Sequence, residues 1–339
     1  MSGAPEQPVV LLALEDRIFD AFLPPRVLNR LSARATVVRA DAADWPRHPA
    51  VPEADVVVTG WGSAPLDAET FARAARLRGL VHTAGTVKSL ISGEVWNRPG
   101  FRVSTQVESN AAPVAAFTAS TIVLAMRGAF RLREAYRDSR GSTDNLTWVL
   151  NRNVGLAGRT LGIVSASRIG RQVMQLLRPW PISLLVHDPF VDAAAADAMG
   201  ATLVESLTEL ASRSDVLSIH TPLLPETVGL VSREVLAALP DDACVINTAR
   251  GAVIDEAALV DELVSGRLSA VLDVTHPEPP APDSVLWTLD NVFLTPHIAG
   301  SIGTELEVLG SQAVDDAIRL LNGDRLLHEL SPEGFSQQA

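Results

Sequence analysis

The sequence predicts an α/β protein with two domains, each formed around a mostly parallel β-sheet. The chain has 339 residues, which is long enough for two hydrophobic cores. In both halves, short runs of β-branched and aliphatic residues alternate with helical patterns. The second half contains six such runs separated by helices, as a doubly wound nucleotide-binding sheet requires.

The first series of strands is predicted at residues 9–14, 36–38, 56–59, 80–83 and 103–107, with an amphipathic helix at 67–76. A long helix containing Ala and Leu is expected to begin after Asn110, its N-cap, and to run to about Tyr136. Residues 137–158 are polar and contain tryptophan, which predicts a surface connection.

The second series has predicted strands at residues 160–164, 183–187, 216–220, 244–247, 270–274 and 292–294, and helices at 168–178, 192–199, 207–213, 233–239 and 255–265. A final helix at 303–322 follows the completed series, and we expect it to return to the first domain. We therefore predict two Rossmann-like domains: a discontinuous, flavodoxin-like domain of residues 1–108 and 302–339, and a doubly wound domain of residues 109–301.

Composition narrows the function classes. A net charge of −12 argues against a nucleic-acid-binding surface, because such surfaces need clustered Lys and Arg. No apolar run approaches the roughly 20 residues that span a bilayer, and the first residues lack the basic and apolar regions of a signal peptide. We expect a cytoplasmic protein with no membrane partner that acts on small molecules.

Cys244 is the only cysteine, so one chain can form neither a disulfide nor a thiolate metal cluster. Its apolar neighbours predict a buried strand residue rather than a reactive thiol. No metal is implied.

A degraded glycine fingerprint follows the strand predicted at 160–164. The segment Ser165-Ala166-Ser167-Arg168-Ile169-Gly170 stands where G-x-G-x-x-G is typical of a turn whose backbone N–H groups bind a pyrophosphate. Of the three glycines of the fingerprint, only the last is present, as Gly170, and it permits close helix–strand packing. The simpler alternative is a βαβ unit that binds no nucleotide, because such units are common.

Asp188 lies just past the next predicted strand, where a carboxylate accepts hydrogen bonds from an adenosine ribose. It favours NAD and disfavours NADP, because it would repel a 2′-phosphate and Pro189-Phe190 offer no arginine beside it. Of the two lost glycines, Ser165 is expected to be the milder change, because serine can occupy the turn if its φ is negative. Ser167 is expected to be the more serious one, because its side chain must avoid the pyrophosphate or donate to it.

Arg250, Glu278 and His297 follow three successive predicted strands, whose carboxyl ends converge on one crevice in a parallel sheet. Arginine can hold a substrate carboxylate and polarise the adjacent carbonyl. Histidine can take the hydroxyl proton as hydride leaves, and a neighbouring carboxylate favours imidazolium and orients the ring. Each residue alone is more often structural or solvated, but together they favour a catalytic set. His276 competes for the acid–base role and is interpreted as structural.

At these residues the chain resembles the D-2-hydroxyacid dehydrogenase family, over most of residues 80–325. The matching segments, in the family's order, are residues 158–164, 187–189, 220–223 with Thr227, 246–251, 273–279 and 295–300. By this resemblance, Arg250 would bind the substrate carboxylate and carbonyl, His297 would be the general acid/base and Glu278 would tune it. Asp273 would contact the nicotinamide carboxamide.

The resemblance also implies a wider cofactor site and a substrate loop. The implied NAD-binding residues are Ser167, Arg168, Ile169, Asp188, Thr221, Pro222, Thr227, Thr248, Ala249, Arg250, Asp273, His297 and Gly300. The substrate would be held by Ala84 and Gly85, through backbone N–H groups, and by Arg250. The family usually has a hydrophobic residue, Asp and Asn where this chain has Thr86-Val87-Lys88. Lys88, the only lysine, is either a further substrate contact or a solvated lysine.

These observations predict an NAD-dependent 2-hydroxyacid dehydrogenase, with a substrate domain and an NAD-binding domain, that interconverts a 2-hydroxy acid and a 2-keto acid. The resemblance implies a homodimer formed through the nucleotide domain, which the helix from Asn110 would suit. Two alternatives remain: a catalytically weak or inactive NAD(H)-binding regulator or sensor of the same fold, and a different reductase chemistry on the same scaffold. Retention of the three acid–base residues weighs against the sensor.

Overall fold

The structure, a computed structural model, describes residues 7–140 and 154–336. The described residues divide into two compact units, one within residues 1–110 and 301–339 and the other within residues 111–300. Over the described residues the strands are β1 Val9–Ala13, β2 Thr36–Ala40, β3 Val56–Thr59, β4 Gly79–His82, β5 Arg102–Thr105, β6 Arg159–Val164, β7 Ile182–His187, β8 Thr202–Leu203, β9 Val216–Ile219, β10 Cys244–Asn247, β11 Ser269–Leu272, β12 Val292–Leu294 and β13 Glu329–Leu330.

The helices of the same residues are α1 Asp16–Phe22, α2 Pro25–Ser32, α3 Ala68–Arg73, α4 Val107–Met126, α5 Ala129–Asp138, α6 Arg168–Leu177, α7 Ala193–Ala198, α8 Leu207–Ser212, α9 Arg233–Ala238, α10 Glu256–Val264, α11 Glu305–Asn322 and α12 Pro332–Ser336. Most of the second-unit helices begin at a Ser or Asp whose side chain accepts a hydrogen bond from the first turn; Ser232 before α9 and Asp255 before α10 are examples.

The sheet of the first unit has the order β13-β5-β4-β3-β1-β2 and is parallel except for β13. The order 2-1-3-4-5 of its parallel strands is the flavodoxin-like order, which confirms the predicted fold class. Successive residues alternate between two cores: Val10 and Leu12 pack with α1 and α11, whereas Leu11 and Ala13 pack with Trp45 on the opposite face.

The sheet of the second unit has the order β12-β11-β10-β9-β6-β7-β8, and every pairing is parallel. Strand order reverses between β6 and β9, which pair directly with Ile163 opposite Ser218. This reversal is the topological switch point at which doubly wound sheets bind ligands, so the predicted Rossmann-like architecture is confirmed. A seventh short strand, β8, extends the six predicted ones.

The long helix expected from Asn110 to Tyr136 is wrong in two respects. Helix α4 begins at Val107, so Asn110 lies within it, where its side chain accepts a hydrogen bond from Ser301 N at 2.9 Å. Gly128, with φ of 67°, then separates α4 from α5. A left-handed glycine ends a helix at little steric cost, and α5 continues after it. Of the predicted connection 137–158, residues 141–153 lie outside the described part of the chain.

Helix α4 also corrects the expectation that no apolar run approaches membrane-spanning length. Among the described helices, it alone is long and apolar enough to cross a bilayer by those two criteria. However, 44% of its apolar window is buried, and Ala115, Ala119 and Ile122 belong to a core cluster with β6. Core helices of soluble proteins pass the same test, so the finding is weak support for a membrane segment.

Candidate active site

Arg250 follows β10 in a turn that a buried asparagine fixes. The Asn247 side chain donates to Arg250 O at 2.9 Å and accepts from Ala249 N at 3.0 Å. Its side chain is fully buried at the end of β10, so it holds the turn from inside the sheet. The guanidinium of Arg250 donates to Ala249 O at 2.6 Å. The position of Arg250 is therefore set by side-chain hydrogen bonds of its own turn.

The turn after Arg250 packs directly on the loop that follows β11. A Cβ added to Gly251 would lie 2.1 Å from the carbonyl carbon and oxygen of Thr275, so only glycine fits there. Burial lowers the pKa of half-buried Arg250, and the negative charge of Glu278 partly opposes this shift. The guanidinium stays charged, because its ordinary pKa is far above neutrality. The structure thus brings Arg250 and Glu278 within electrostatic range of each other.

Asp273 organises the loop that carries His297. Its carboxylate is buried at the end of β11 and accepts hydrogen bonds from Thr295 Oγ1 at 2.6 Å, Ile298 N at 2.8 Å and Ala299 N at 2.9 Å. The backbone carbonyl of Asp273 accepts a further bond from His297 N at 3.0 Å. Asp273 therefore holds the backbone N–H of His297 and also residues that precede and follow it in the chain.

His297 itself has a φ of 54°, in the left-handed region that non-glycine residues rarely adopt. This conformation costs about 1 kcal/mol and persists because the surrounding hydrogen bonds determine it. Its Nδ1 lies 2.6 Å from Glu278 Oε1, and the two side chains are 48% and 41% exposed. A carboxylate only accepts, so Nδ1 carries the hydrogen and Nε2 is left for proton transfer.

In the fingerprint turn, Ser165 rather than Ser167 is the more costly replacement of a glycine, the reverse of what was expected. Ser165 has φ of 77°, so the condition under which it would be the milder change is not met, and the steric cost falls on this residue. Ser167 has an ordinary φ of −60° and is the N-cap of α6, because its hydroxyl accepts from Gly170 N at 3.3 Å. The Ser167 side chain thus points back to its own helix, and Ser167 is the milder change.

The geometry of the same turn can be compared with what a bound dinucleotide requires. A Cβ on Gly170 would lie 2.3 Å from Ser165 O, so the helix approaches the strand as closely as the fingerprint requires. Helix α6 begins at exposed Arg168, with Ile169 next to it, and its N-terminus follows β6 at the switch point. The residues present therefore fit a pyrophosphate-binding turn despite two lost glycines.

Asp188 occupies the position expected for a ribose acceptor and is buried by the turn. Its Oδ2 accepts from Ser165 Oγ at 3.1 Å and from Ala166 N at 2.8 Å, and its Oδ1 accepts from Phe190 N at 2.8 Å. Phe190 is 95% exposed directly beside it. The carboxylate thus also supports the fingerprint turn.

The other expected cofactor residues also follow strands of the second unit. After β9, Thr221 is buried and Thr227 closes a turn, where its hydroxyl donates to Pro222 O at 2.7 Å and accepts from Leu224 N at 2.7 Å. After β10, the hydroxyl of buried Thr248 lies 2.8 Å from that of Thr118 on α4. Gly300 is half-buried after the His297 loop.

The expected substrate loop belongs to the first unit, after β4. Ala84 is buried and its carbonyl accepts from Gln106 N at 2.9 Å, whereas Gly85 is half-buried. The ammonium of Lys88 lies 4.7 Å from the centre of the Phe335 ring and 3.4 Å from Ser336 O. Lys88 therefore contacts the C-terminal helix α12, which the sequence patterns did not suggest.

His276, the competing acid–base candidate, has an exposed side chain, and its backbone N–H donates to Glu256 at 2.6 Å. Burial raises the pKa of Glu256, and this hydrogen bond opposes the shift. The sequence patterns do not reveal the supporting roles of Asn247 and Gly251. The signal was available, since both lie within the matched segment around Arg250, but their partners are distant in sequence.

Comparisons with known proteins identify a family for this chain. The sequence profile of a family described as "D-isomer specific 2-hydroxyacid dehydrogenase, NAD binding domain" matches residues 120–299, more than half of the chain. The chain is 30% identical over 275 residues to the D-3-phosphoglycerate dehydrogenase of Methanocaldococcus jannaschii, covering 81% of this chain and 51% of that protein. It is 31% identical over 321 residues to the D-3-phosphoglycerate dehydrogenase of Mycobacterium bovis, covering 94% and 57%.

Among solved structures, the TT0316 protein of Thermus thermophilus is similar with a TM-score of 0.78 and 29% identity, covering 95% of this chain and all of that one. The fold is therefore shared along nearly the whole chain. The curated relatives are longer, and the chain spans about half the length of those it matches.

Proposed function

Because this chain belongs to the D-isomer specific 2-hydroxyacid dehydrogenase family, we propose that it is an NAD-dependent oxidoreductase that interconverts a 2-hydroxy acid and a 2-keto acid. The observation that carries the proposal is the hydrogen bond between His297 Nδ1 and Glu278 Oε1, made within electrostatic range of Arg250. The three side chains combine an oriented acid–base and a carboxylate-binding cation. A nucleotide-binding unit with no catalytic role has no need of that combination.

In this proposal His297 is the general acid/base. In the reducing direction its protonated Nε2 would give a proton to the carbonyl oxygen, and in the oxidising direction Nε2 would take the hydroxyl proton. Glu278 accepts the Nδ1 hydrogen throughout, so it fixes the ring and stabilises the imidazolium. Arg250 would bind the substrate carboxylate through its fork and polarise the carbonyl. The nicotinamide, when bound, would supply a hydride to C2 of the keto acid or accept one from C2 of the hydroxy acid.

The second unit would hold NAD through residues that follow its strands. The turn of Ser167, Arg168 and Ile169 would face the pyrophosphate and Asp188 the adenosine ribose, which favours NAD over NADP. The segments after β9, β10 and β12 would supply the remaining expected contacts: Thr221, Pro222, Thr227, Thr248, Ala249 and Gly300. Asp273 holds the His297 loop in the structure, and its contact with the nicotinamide carboxamide remains a prediction.

We assign substrate binding to the first unit, with backbone donors from Ala84 and Gly85. Lys88 remains a predicted substrate contact, tested by Lys88→Ala: an unchanged KM for every 2-keto acid would exclude it. The contact of Lys88 with Phe335 favours a structural role in which the lysine fixes helix α12. A cytoplasmic homodimer formed through the nucleotide domain is part of the proposal, and sedimentation equilibrium tests the dimer.

The test is titration of the purified chain with NADH, followed by turnover with a panel of 2-keto acids. Saturable binding with oxidation of NADH by at least one acid supports the proposal. Binding without turnover would instead support an NAD(H) sensor. Absence of binding up to millimolar NADH would contradict both.

A further inference from the structure

The side chain of Ser165 makes a hydrogen bond that glycine, the usual residue at this position of the fingerprint, cannot make. Its Oγ lies 3.1 Å from Asp188 Oδ2, which also accepts from Ala166 N at 2.8 Å. Asp188 is 9% exposed, so few other donors can reach it. The Ser165 hydroxyl therefore occupies an acceptor site on one carboxylate oxygen of Asp188, the proposed ribose acceptor.

A count of acceptor sites shows the consequence. A carboxylate offers about four lone-pair sites, and Asp188 uses three of them for Ser165 Oγ, Ala166 N and Phe190 N. The two hydroxyls of an adenosine ribose need two acceptor sites, so one hydroxyl would lack a partner. A buried donor without an acceptor weakens binding.

The backbone holds the serine in this place. Ser165 N donates to His187 O at 2.9 Å at the end of β7, and its φ of 77° turns the chain into α6. Because Gly170 leaves no room beside Ser165 O, the turn cannot relax by moving toward the helix. The backbone of Ser165 is thus fixed beside Asp188, and its hydroxyl lies within hydrogen-bond distance of Asp188 Oδ2.

We infer that Ser165 is an affinity-determining residue: its hydroxyl competes with the adenosine ribose for Asp188 and lowers the affinity of this chain for NAD(H). The inference rests on the proposed cofactor site. It also specifies which lost glycine matters, since Ser167 is bonded within its own helix.

The experiment compares binding of NADH and of NADH lacking the 2′-hydroxyl of its adenosine ribose, by calorimetry, to wild type, Ser165→Ala and Ser165→Gly. Ser165→Ala removes the hydroxyl and keeps the Cβ, whereas Ser165→Gly also suits the positive φ. Both variants should bind NADH roughly fivefold more tightly, the effect of about one hydrogen bond. Their affinity for the deoxy probe should not change. The exposed Ser183→Ala is the matched control and should change neither affinity.

The outcomes separate the inference from the proposed function. Wild-type binding with no gain in either variant, or an equal gain for both probes, overturns the inference and leaves the proposed function standing. Weaker binding by Ser165→Ala overturns it too, because the hydroxyl would then be supporting the site. Binding only by the variants supports it, and no binding by any form overturns both. Thermal unfolding of each variant verifies that the fold is intact.

Discussion

The imidazole of His297 and the carboxylate of Glu278 are joined by a 2.6 Å contact between Nδ1 and Oε1. The two residues follow different strands, β12 and β11, and their loops are linked through Asp273. The pair therefore depends on how the parallel sheet ends, and it selects one tautomer of the ring.

Replacement of His297 by glutamine should lower kcat by about 10²- to 10⁴-fold, the usual contribution of a general acid/base. The Kd for NADH should change little, because the half-exposed ring lies outside the fingerprint turn. Steady-state kinetics and an NADH titration measure the two effects. His276→Gln is the matched control and should keep most activity, because the His276 side chain is exposed. Substantial turnover by the His297 variant would refute the acid–base role.

Replacement of Glu278 by glutamine keeps the size of the side chain but removes the charge that holds the Nδ1 hydrogen. An amide can present its NH₂ group to the ring and stabilise the other tautomer, so kcat should fall on the order of 10²-fold. Asp283→Asn is the matched control. It removes one negative charge from an exposed residue a few positions further along the same loop. Equal kinetics for the Glu278 variant and wild type would show that the pair has no catalytic role.

Replacement of Arg250 by lysine should raise KM for the keto acid and lower kcat/KM by about 10²-fold, because a point charge replaces a planar fork. NADH affinity should stay within about twofold, a factor worth only ~0.4 kcal/mol. Arg233→Lys is the control, since that exposed arginine on α9 pairs with Asp261. An unchanged KM in the Arg250 variant would remove it from the substrate site.

The buried histidines predict acid sensitivity. Burial lowers the pKa of His220 to about 3 and that of His82 to about 4, below the unfolded value of 6.5. Below pH 6.5 the unfolded chain binds protons that the folded chain does not, so stability falls as pH decreases toward the folded values. The slope is about 1.4 kcal/mol per pH unit for each histidine.

Denaturant unfolding at several pH values between neutrality and about pH 5, above the ordinary pKa values of carboxyl groups, tests this slope. His220→Gln should flatten the dependence for the second unit. A pH-independent stability over this range would contradict the burial of neutral histidines.

Much of the fold was predictable because β-rich runs and helix caps are local patterns. The second unit illustrates this, since its strand runs are nearly continuous in Val, Ile and Leu, as for β10. Helices α1 and α2 were missed because each is short and begins without a side-chain cap. The break at Gly128 was missed because one glycine within an apolar helical pattern is often tolerated.

The candidate site was predictable in its residue types and less so in its conformations. Arg250, Glu278 and His297 were identified because each follows a predicted strand. The positive φ of Ser165 could not be predicted, since serine at a fingerprint position does not reveal which glycine supplied backbone freedom. The role of Asp273 in holding the His297 loop depends on hydrogen bonds between segments about 25 residues apart, which no local pattern encodes.

The most direct measurement follows the transferred hydrogen. The chain is incubated with NADH carrying deuterium at both hydrogen positions of C4 of the nicotinamide and with a 2-keto acid from the panel, and the product is analysed by mass spectrometry. We expect a 2-hydroxy acid with one deuterium at C2, and loss of this product with His297→Gln. NADH binding without any deuterated hydroxy acid, for every keto acid tested, would contradict it.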